Sequence, residues 1–185
     1  MGTDIYGWVE MKRSDEWVGV LPIEAFVRRY IHGFGSMFLY ENDFQPIAQG
    51  RGLPVNVSEE AKRSSPEEYW GHTWAYWREI AAIDWDAIYT PEEPTVYRYV
   101  RDASGDMKWD GYGYRHEKSD FPPVDLTKDT EFEIGDTRYR VVHDPPFPRS
   151  ETLHPGWQVI FKVMASLADQ YWTGKEAVRI VVWFG

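Results

Sequence analysis

The sequence contains no cysteine, which excludes a disulfide framework, a thiolate metal site and a cysteine nucleophile. It also lacks any run approaching the ~20 apolar residues that a membrane span requires. The N-terminus has no basic start followed by an apolar stretch, as a signal peptide would have. We therefore expect a soluble, cytoplasmic protein that does not contact a membrane.

Positive charge is scarce, since 20 Lys and Arg face 30 Asp and Glu for a formal net charge of -10. A long nucleic acid needs a basic protein surface, so we do not expect one as a partner. A small anionic ligand held by a few local arginines is compatible with this charge. Aromatic residues are abundant at 17%, with 10 Trp and 12 Tyr. This is a large number for one core, so some rings are expected at the surface, where they can stack on bases, sugars or another protein.

Motifs of known catalytic chemistry are absent. The chain has no Gly-x-Ser-x-Gly nucleophile elbow and neither a Gly-x-x-x-x-Gly-Lys nor a Gly-x-Gly-x-x-Gly phosphate-binding motif. The 5 histidines are scattered and show no i, i+4 metal-binding pair. Catalysis by a known motif is therefore not supported, whether the protein is an enzyme stays open, and we predict neither a metal nor a cofactor.

The two ends of the chain read as strands that pair with each other. Residues 4–12 alternate, and residues 178–184 place Val and Ile on one face and Arg179 and Trp183 on the other. Apolar residues at helical spacing predict a long helix over 155–171, packed on the apolar faces of these strands. The sequence therefore predicts an α+β fold in a single domain of residues 1–185. Its sheet is mostly antiparallel, with the N- and C-terminal strands adjacent and helices packed on one face.

The rest of the chain gives shorter elements. Alternation and turn residues predict a hairpin after the first strand and two more within 95–109 and 131–142. Ser58 is expected to cap a helix over 59–64. Further predictions are helices over 23–31 and 74–83, the latter capped by Thr73, a short helical piece at 38–39, and a long surface loop over 110–130.

The opening residues Met-Gly-Thr-Asp-Ile-Tyr-Gly-Trp-Val-Glu resemble a group of small uncharacterised proteins from bacteriophages and bacteria. That group begins with Met-Gly-x-Asp-Ile-His and continues to Val-Glu. Residues 51–54, 57–58, 71–74 and 178–184 are also similar to the group. Tyr6 stands where the group has His, and Gly185 where the group usually continues with Asp. The resemblance implies a phage or mobile-element context and supplies no activity.

Two constellations are candidates for a ligand site. On the first strand, Asp4, Trp8 and Glu10 share a face, which the last strand would extend with Arg179 and Trp183. Such a floor of rings and one Arg would receive a planar anion, although a solvated sheet face with cross-strand pairs has the same pattern.

The second constellation is the Gly50-Arg51-Gly52 loop with His72. Arg51 would hold a phosphate or carboxylate, or else make an internal ion pair, and His72 is the best single candidate for a general base, although a structural cap is the commoner role. The predicted ligand-binding residues are Asp4, Trp8, Arg51, His72, Trp74, Arg179 and Trp183.

The first functional hypothesis is a non-catalytic binding protein of phage or mobile-element origin that sequesters a small anionic aromatic, nucleotide-like ligand or a host factor. The second is a hydrolase acting on a phosphorylated or nucleoside substrate. The third is an acidic protein-interaction module that inhibits a host protein. The sequence does not predict the oligomeric state.

Overall fold

The computed structural model describes residues 4–27, 34–39, 44–65, 68–112, 121–170 and 174–185. The chain divides into two compact units. The terminal unit comprises Met1–Tyr89 and Pro148–Gly185, and the central unit comprises Thr90–Phe147. The single domain expected from the sequence stays a prediction, because a division into compact units does not test whether they fold separately.

The described elements follow one another in an α+β order. They are β1 (Ile5–Arg13), β2 (Glu16–Pro22), α1 (Glu24–Val27), α2 (Glu59–Ser64), β3 (Trp70–Tyr76), α3 (Trp77–Ala81), β4 (Ile88–Tyr89), β5 (Thr95–Arg101), β6 (Met107–Tyr112), β7 (Thr130–Ile134), β8 (Thr137–Val142), β9 (Phe147–Pro148), α4 (Gly156–Gln170) and β10 (Val178–Phe184), with 3-10 turns at Arg149–Thr152 and Gly174–Glu176.

The terminal unit contains an antiparallel sheet with the strand order β2-β1-β10-β3. Strand β1 pairs with β10 from Ile5 opposite Phe184 to Met11 opposite Val178. The adjacency of the N- and C-terminal strands and the α+β fold class are thereby confirmed. The predicted first hairpin is also present, since β2 pairs with β1 on its other side.

Helix α4 covers the apolar face of this sheet, as the periodicity predicts. Ile160 and Met164 of the helix are fully buried and belong to one cluster with Val9, Ile180 and Val182 of the strands. The helix ends at Gln170, and the last residue of the predicted range, Tyr171, lies outside the described residues. Burying this apolar surface contributes roughly 25 cal/mol per Å² to folding.

The opposite face of the sheet is also covered. Helix α2 lies on it, and Ala61 packs against Val181 and Trp183, all three with no exposed surface. Ser58 caps the helix by accepting a hydrogen bond from the backbone N–H of Ala61 at 3.2 Å, as predicted. The sheet is therefore sandwiched between α4 on one side and a much shorter helix on the other.

The predicted helix over 74–83 is wrong in its first turn. Residues Trp70–Tyr76 form β3, which pairs with β10, and the helix begins at Trp77. Thr73 is therefore a strand residue rather than a helix cap. Its side chain and Ala75 are buried on one face, the period of two that a strand adjoining a sheet requires.

The predicted piece at 38–39 consists of bends rather than a helix. Of the predicted helix over 23–31, Glu24–Val27 is helical (α1), and residues 28–31 lie outside the described part of the chain. Gly35 and Ser36 have left-handed φ values of 61° and 52°, so no helix runs through them into 38–39.

The central unit contains an antiparallel sheet with the order β6-β5-β8-β7. Its two hairpins confirm the predictions for 95–109 and 131–142. Strand β6 continues to Tyr112, so the predicted loop over 110–130 is strand at its start. Residues 113–120 of that loop lie outside the described residues, and residues 121–129 form no strand or helix.

Gly7 sets the spacing between β1 and β10. A Cβ at this position would lie 2.1 Å from the carbonyl oxygen of Val181, closer than any real contact. We expect Gly7→Ala to lower the free energy of unfolding by at least about 3 kcal/mol, because the two strands must separate. Urea denaturation checks this value.

The matched control is Gly50→Ala, where no atom lies within 4 Å of an added Cβ and only the left-handed backbone is unfavourable. We expect that variant to lose about 1–2 kcal/mol. Equal losses in the two variants would contradict the close approach at Gly7.

Candidate functional site

The α2-covered face of the terminal sheet holds most of the residues predicted to bind a ligand. Cross-strand pairing places Glu10 beside Arg179, Tyr6 beside Trp183 and Trp8 beside Val181. Strand β3 extends the same face, because Trp74 pairs with Val181 and Tyr76 with Arg179. The face thus assembles Trp8, Arg179 and Trp183, as the alternation of β1 and β10 indicates. It also includes Trp74, which the sequence placed on a helix.

The centre of this face is a buried ion pair. Arg179 donates from Nε to Oε2 of Glu10 at 2.6 Å, with 2% and 0% of the two side chains exposed. The other carboxylate oxygen, Oε1, accepts the backbone N–H of Ser58 at 2.8 Å. Arg179 also donates to the side-chain and backbone oxygens of Asn56 at 3.0 and 2.9 Å. The pair therefore joins two strands to the segment that leads into α2.

Burial and charge act on Arg179 in opposite directions. Burial lowers the pKa of its guanidinium, and the carboxylate of Glu10 counters that shift. Arginine stays protonated in proteins, so the pair is ionic. The guanidinium also lies 3.9 Å above the ring of Trp17, a cation–π contact that replaces part of its lost hydration.

The covered centre of the face leaves little room for a ligand. Trp183 is fully buried, and Arg179 already donates to Glu10 and Asn56. The indole N–H groups of Trp8 and Trp183 are buried without a hydrogen-bond partner among the described residues. A ligand that contacted them would have to displace α2.

The Gly50-Arg51-Gly52 loop lies along β3, at the edge of the sheet. The backbone N–H of Gly52 donates to the carbonyl oxygen of His72 at 2.9 Å. Arg51 makes the internal ion pair that the sequence left open, with Nη1 and Nη2 at 3.0 and 2.7 Å from the carboxylate of Glu79. Its guanidinium lies 5.2 Å from the ring centre of Trp74, and the guanidinium of Arg179 lies 5.9 Å from the same ring centre. The two predicted constellations therefore meet at that ring.

His72 is held between a hydroxyl and a ring. Its Nε2 lies 2.8 Å from Oγ of Ser65, and its imidazole stacks on Trp183 with 6.3 Å between ring centres. Burial lowers the pKa of His72 below its usual 6.5, so the imidazole is neutral at pH 7. Asp4 lies at the start of the same face, where its backbone pairs with Gly185 and its carboxylate accepts from the Tyr6 hydroxyl at 3.4 Å.

The face has an opening near the Glu10–Arg179 pair. A groove of about 370 Å³ lies there. We name it the Trp17–Tyr76 groove, and the described residues that line it are Lys12, Trp17, Asn56, Tyr76, Glu176 and Ala177. The rings of Trp17 and Tyr76 touch, with centres 6.2 Å apart, so they form one continuous aromatic wall rather than a slot.

Two predicted residues support the groove from behind. Arg179 lies against Trp17, and Trp74 meets Tyr76 edge-on at 5.0 Å. None of the residues that line the groove was among those predicted to bind a ligand. Lys12 had a usable signal, because it is the next member of the alternating set to which Trp8 belongs. Tyr76 was hidden by the incorrect helix assignment for β3.

Comparison of the chain with models of protein families, with curated proteins and with solved structures gives no match. The resemblance of the opening residues to phage and bacterial proteins stays a prediction. Within the described part of the chain, no three His, Asp or Glu side chains are grouped as metal ligands would be. No helix among the described residues is long and apolar enough to cross a membrane.

The buried pair predicts strong coupling between Glu10 and Arg179. We expect Glu10→Leu alone to lower the free energy of unfolding by about 3–5 kcal/mol, because it leaves the guanidinium buried without its counter-ion. The double variant E10L/R179M removes both charges, and we expect it to lose less than the two single variants together. Urea denaturation of the wild type, Glu10→Leu, Arg179→Met and the double variant gives the coupling energy between the two side chains.

The control for this cycle is the exposed ion pair between Arg78 and Glu176. We expect its cycle to give at most about 1 kcal/mol, since solvent screens exposed pairs. Additive losses at Glu10 and Arg179 would contradict the buried pair.

Titration of His72 predicts a loss of stability in mild acid. Its folded pKa is below 6.5, so the unfolded state binds a proton first as the pH falls. We therefore expect the free energy of unfolding to decrease as pH drops below about 6.5, until the folded pKa is reached. The measurement is urea denaturation of the wild type and His72→Gln at several values between pH 7.5 and 5. The stability difference between them should change with pH, and a constant difference would refute the lowered pKa of the half-buried His72.

Proposed function

We propose that the protein is a non-catalytic binder of a small planar aromatic anion of the mononucleotide type, held in the Trp17–Tyr76 groove. The observation that carries this proposal is the aromatic wall with a lysine beside it. A base would stack mainly on the half-buried ring of Tyr76, beside the edge of Trp17, which is 8% exposed. The ammonium group of Lys12 would contact the phosphate. Stacking on aromatic side chains is worth about 1–3 kcal/mol per base.

The polar residues of the groove match a base rather than a bare aromatic ring. The amide of Asn56 carries both a donor and acceptors, and the carboxylate of Glu176 accepts hydrogen bonds. Glu176 is paired with Arg78, whose guanidinium also lies 5.2 Å from the ring centre of Tyr76. This pairing limits the repulsion that Glu176 would exert on an anion.

A second hollow on the other side of Trp17 is less suited to an anion. It has a volume of about 270 Å³ and is lined by Asp15, Glu16 and Glu59 beside Trp17, Asn56 and Val57. Three carboxylates in so small a space would repel a phosphate. The volume of the Trp17–Tyr76 groove, about 370 Å³, falls within the usual range for small-ligand sites.

A hydrolase is the second candidate, and one observation favours it. The 2.8 Å contact between Ser65 Oγ and His72 Nε2 pairs a hydroxyl with a neutral imidazole. Among the described residues no carboxylate hydrogen-bonds to His72, so they supply two members of a nucleophilic triad and not the third. The binding function is therefore the better supported of the two. An origin in a phage or mobile element, where such a binder would sequester a host signal, belongs to the same proposal.

The test is isothermal titration of the full chain with AMP, GMP, CMP and UMP. We expect at least one of them to bind, and we expect Tyr76→Leu and Lys12→Gln each to weaken that binding at least about fivefold through lost stacking and lost charge. Lys162→Gln on α4 is the control for the charge change, and it should bind as the wild type does.

Three results would contradict the proposal. They are the absence of heat with every nucleotide, equal affinity in Tyr76→Leu and the wild type, and conversion of the nucleotide during the titration. The last result would favour the hydrolase.

A further inference from the structure

The sheet of the central unit has one face that the described chain does not cover. Its other face is packed by Val96 and Val141, and Phe121 contacts the rings of Phe132 and Tyr139 there. The uncovered face carries rings and arginines, which cross-strand pairing places together. We name it the Arg-aromatic face, and it consists of Tyr97, Tyr99, Arg101, Met107, Trp109, Tyr112, Glu131, Glu133, Arg138 and Arg140.

The rings at the β6 side of this face are exposed to solvent. Trp109 is 59% exposed and Tyr112 is 58% exposed, unusual values for side chains of this size. Their rings meet edge-on with centres 6.0 Å apart, and Tyr112 also contacts Tyr97. Together they form a preformed apolar surface, which buries large area at a low cost in side-chain entropy.

A charged hollow adjoins these rings. It has a volume of about 240 Å³ and is lined by Tyr99, Met107, Glu131, Arg138 and Arg140. Arg138 is neutralised by ion pairs with Glu131 and Glu133. Arg140 lies opposite Glu131 on β7 and acts electrostatically on Asp129. Among the described residues no hydrogen bond or ion pair holds its guanidinium, so this group can turn toward a ligand.

The edge of β6 is a poorer docking element than its face. The pairing of β5 with β6 shifts register between Arg98 and Tyr99, and Lys108 lies on β6 itself. A bulge and a lysine are features that discourage a further strand from adding to an edge. A partner is therefore expected on the side chains of the face rather than on the backbone of the edge.

We infer that the Arg-aromatic face docks a partner protein, whose contacting segment places a carboxylate in the hollow at Arg140 and an apolar side chain on Trp109 and Tyr112. Aromatic residues, Met and Arg are the types enriched at the centres of protein interfaces. A nucleic acid fits less well, because Glu131 and Glu133 pair with Arg138 and Glu133 also lies 3.9 Å from Arg101. Acidic side chains also outnumber basic ones in residues 90–147. This site lies in the other unit from the Trp17–Tyr76 groove, so the two proposals fail or hold separately.

The probe is a random dodecapeptide library displayed on phage and selected on the full chain. We expect the enriched peptides to carry Asp or Glu near a large apolar residue. Synthetic copies of them should bind the wild type at least tenfold more tightly than Arg140→Glu or Trp109→Ala. Fluorescence anisotropy measures both affinities, and Tyr112→Ser serves as a second ring variant if Trp109→Ala does not fold.

The controls lie on the opposite face of the same sheet. Lys108→Glu makes the same charge reversal on β6, and Ile134→Ala removes an exposed apolar side chain from β7; both should bind as the wild type does. The inference is overturned if no peptide is enriched, if the enriched peptides lack an acidic residue, or if the face variants bind them unchanged. Binding of oligo-dT that is lost in Arg140→Glu would also overturn it, because the face would then bind nucleic acid. Dissociation of a dimer by Trp109→Ala would overturn it too, because the face would then bind a second copy of the chain.

Discussion

The buried ion pair between Glu10 and Arg179 determines what the terminal sheet presents to solvent. One carboxylate oxygen binds the guanidinium and the other binds the backbone N–H of Ser58, the N-cap of α2. Asn56 accepts two further hydrogen bonds from Arg179. Two charges without these partners would be too costly to bury. The pair therefore fixes both the pairing of the chain ends and the segment that covers the sheet.

The position of α2 and of the residues before it determines where the Trp17–Tyr76 groove lies. Helix α2 and the residues before it hide the middle of the face, where Trp183 is fully buried. Asn56, which precedes α2, lines the groove together with Lys12 and Tyr76. The guanidinium of Arg179 holds Trp17 from behind at 3.9 Å. One ion pair thus closes the centre of a ring-rich face and orients the wall of its open end. The uncovered face of the central unit is different, because its rings are exposed directly and its arginines are partly neutralised by glutamates on the same strands.

The strands at the chain ends and α4 could be predicted because each shows a clear period, two for the strands and 3.6 for the helix. The faces of β1 and β10 followed from the same alternation, which put Glu10 and Arg179 on one face but did not decide whether Asp4 or Glu10 would pair with Arg179. Strand β3 could not be predicted, because its rings fit a helix as well as a strand, and pairing with a strand about a hundred residues away decided between them. The cover by α2 also depends on a long-range contact, the hydrogen bond from Ser58 to Glu10, which no local pattern reveals.

Amide hydrogen exchange in the variant Glu10→Gln tests the central role of the ion pair most directly. The account predicts that amides of residues 57–64 exchange much faster than in the wild type, while amides of α4 on the opposite face keep their protection. Unchanged exchange over 57–64 in a folded Glu10→Gln protein would show that the cover holds without the pair, and would contradict the account.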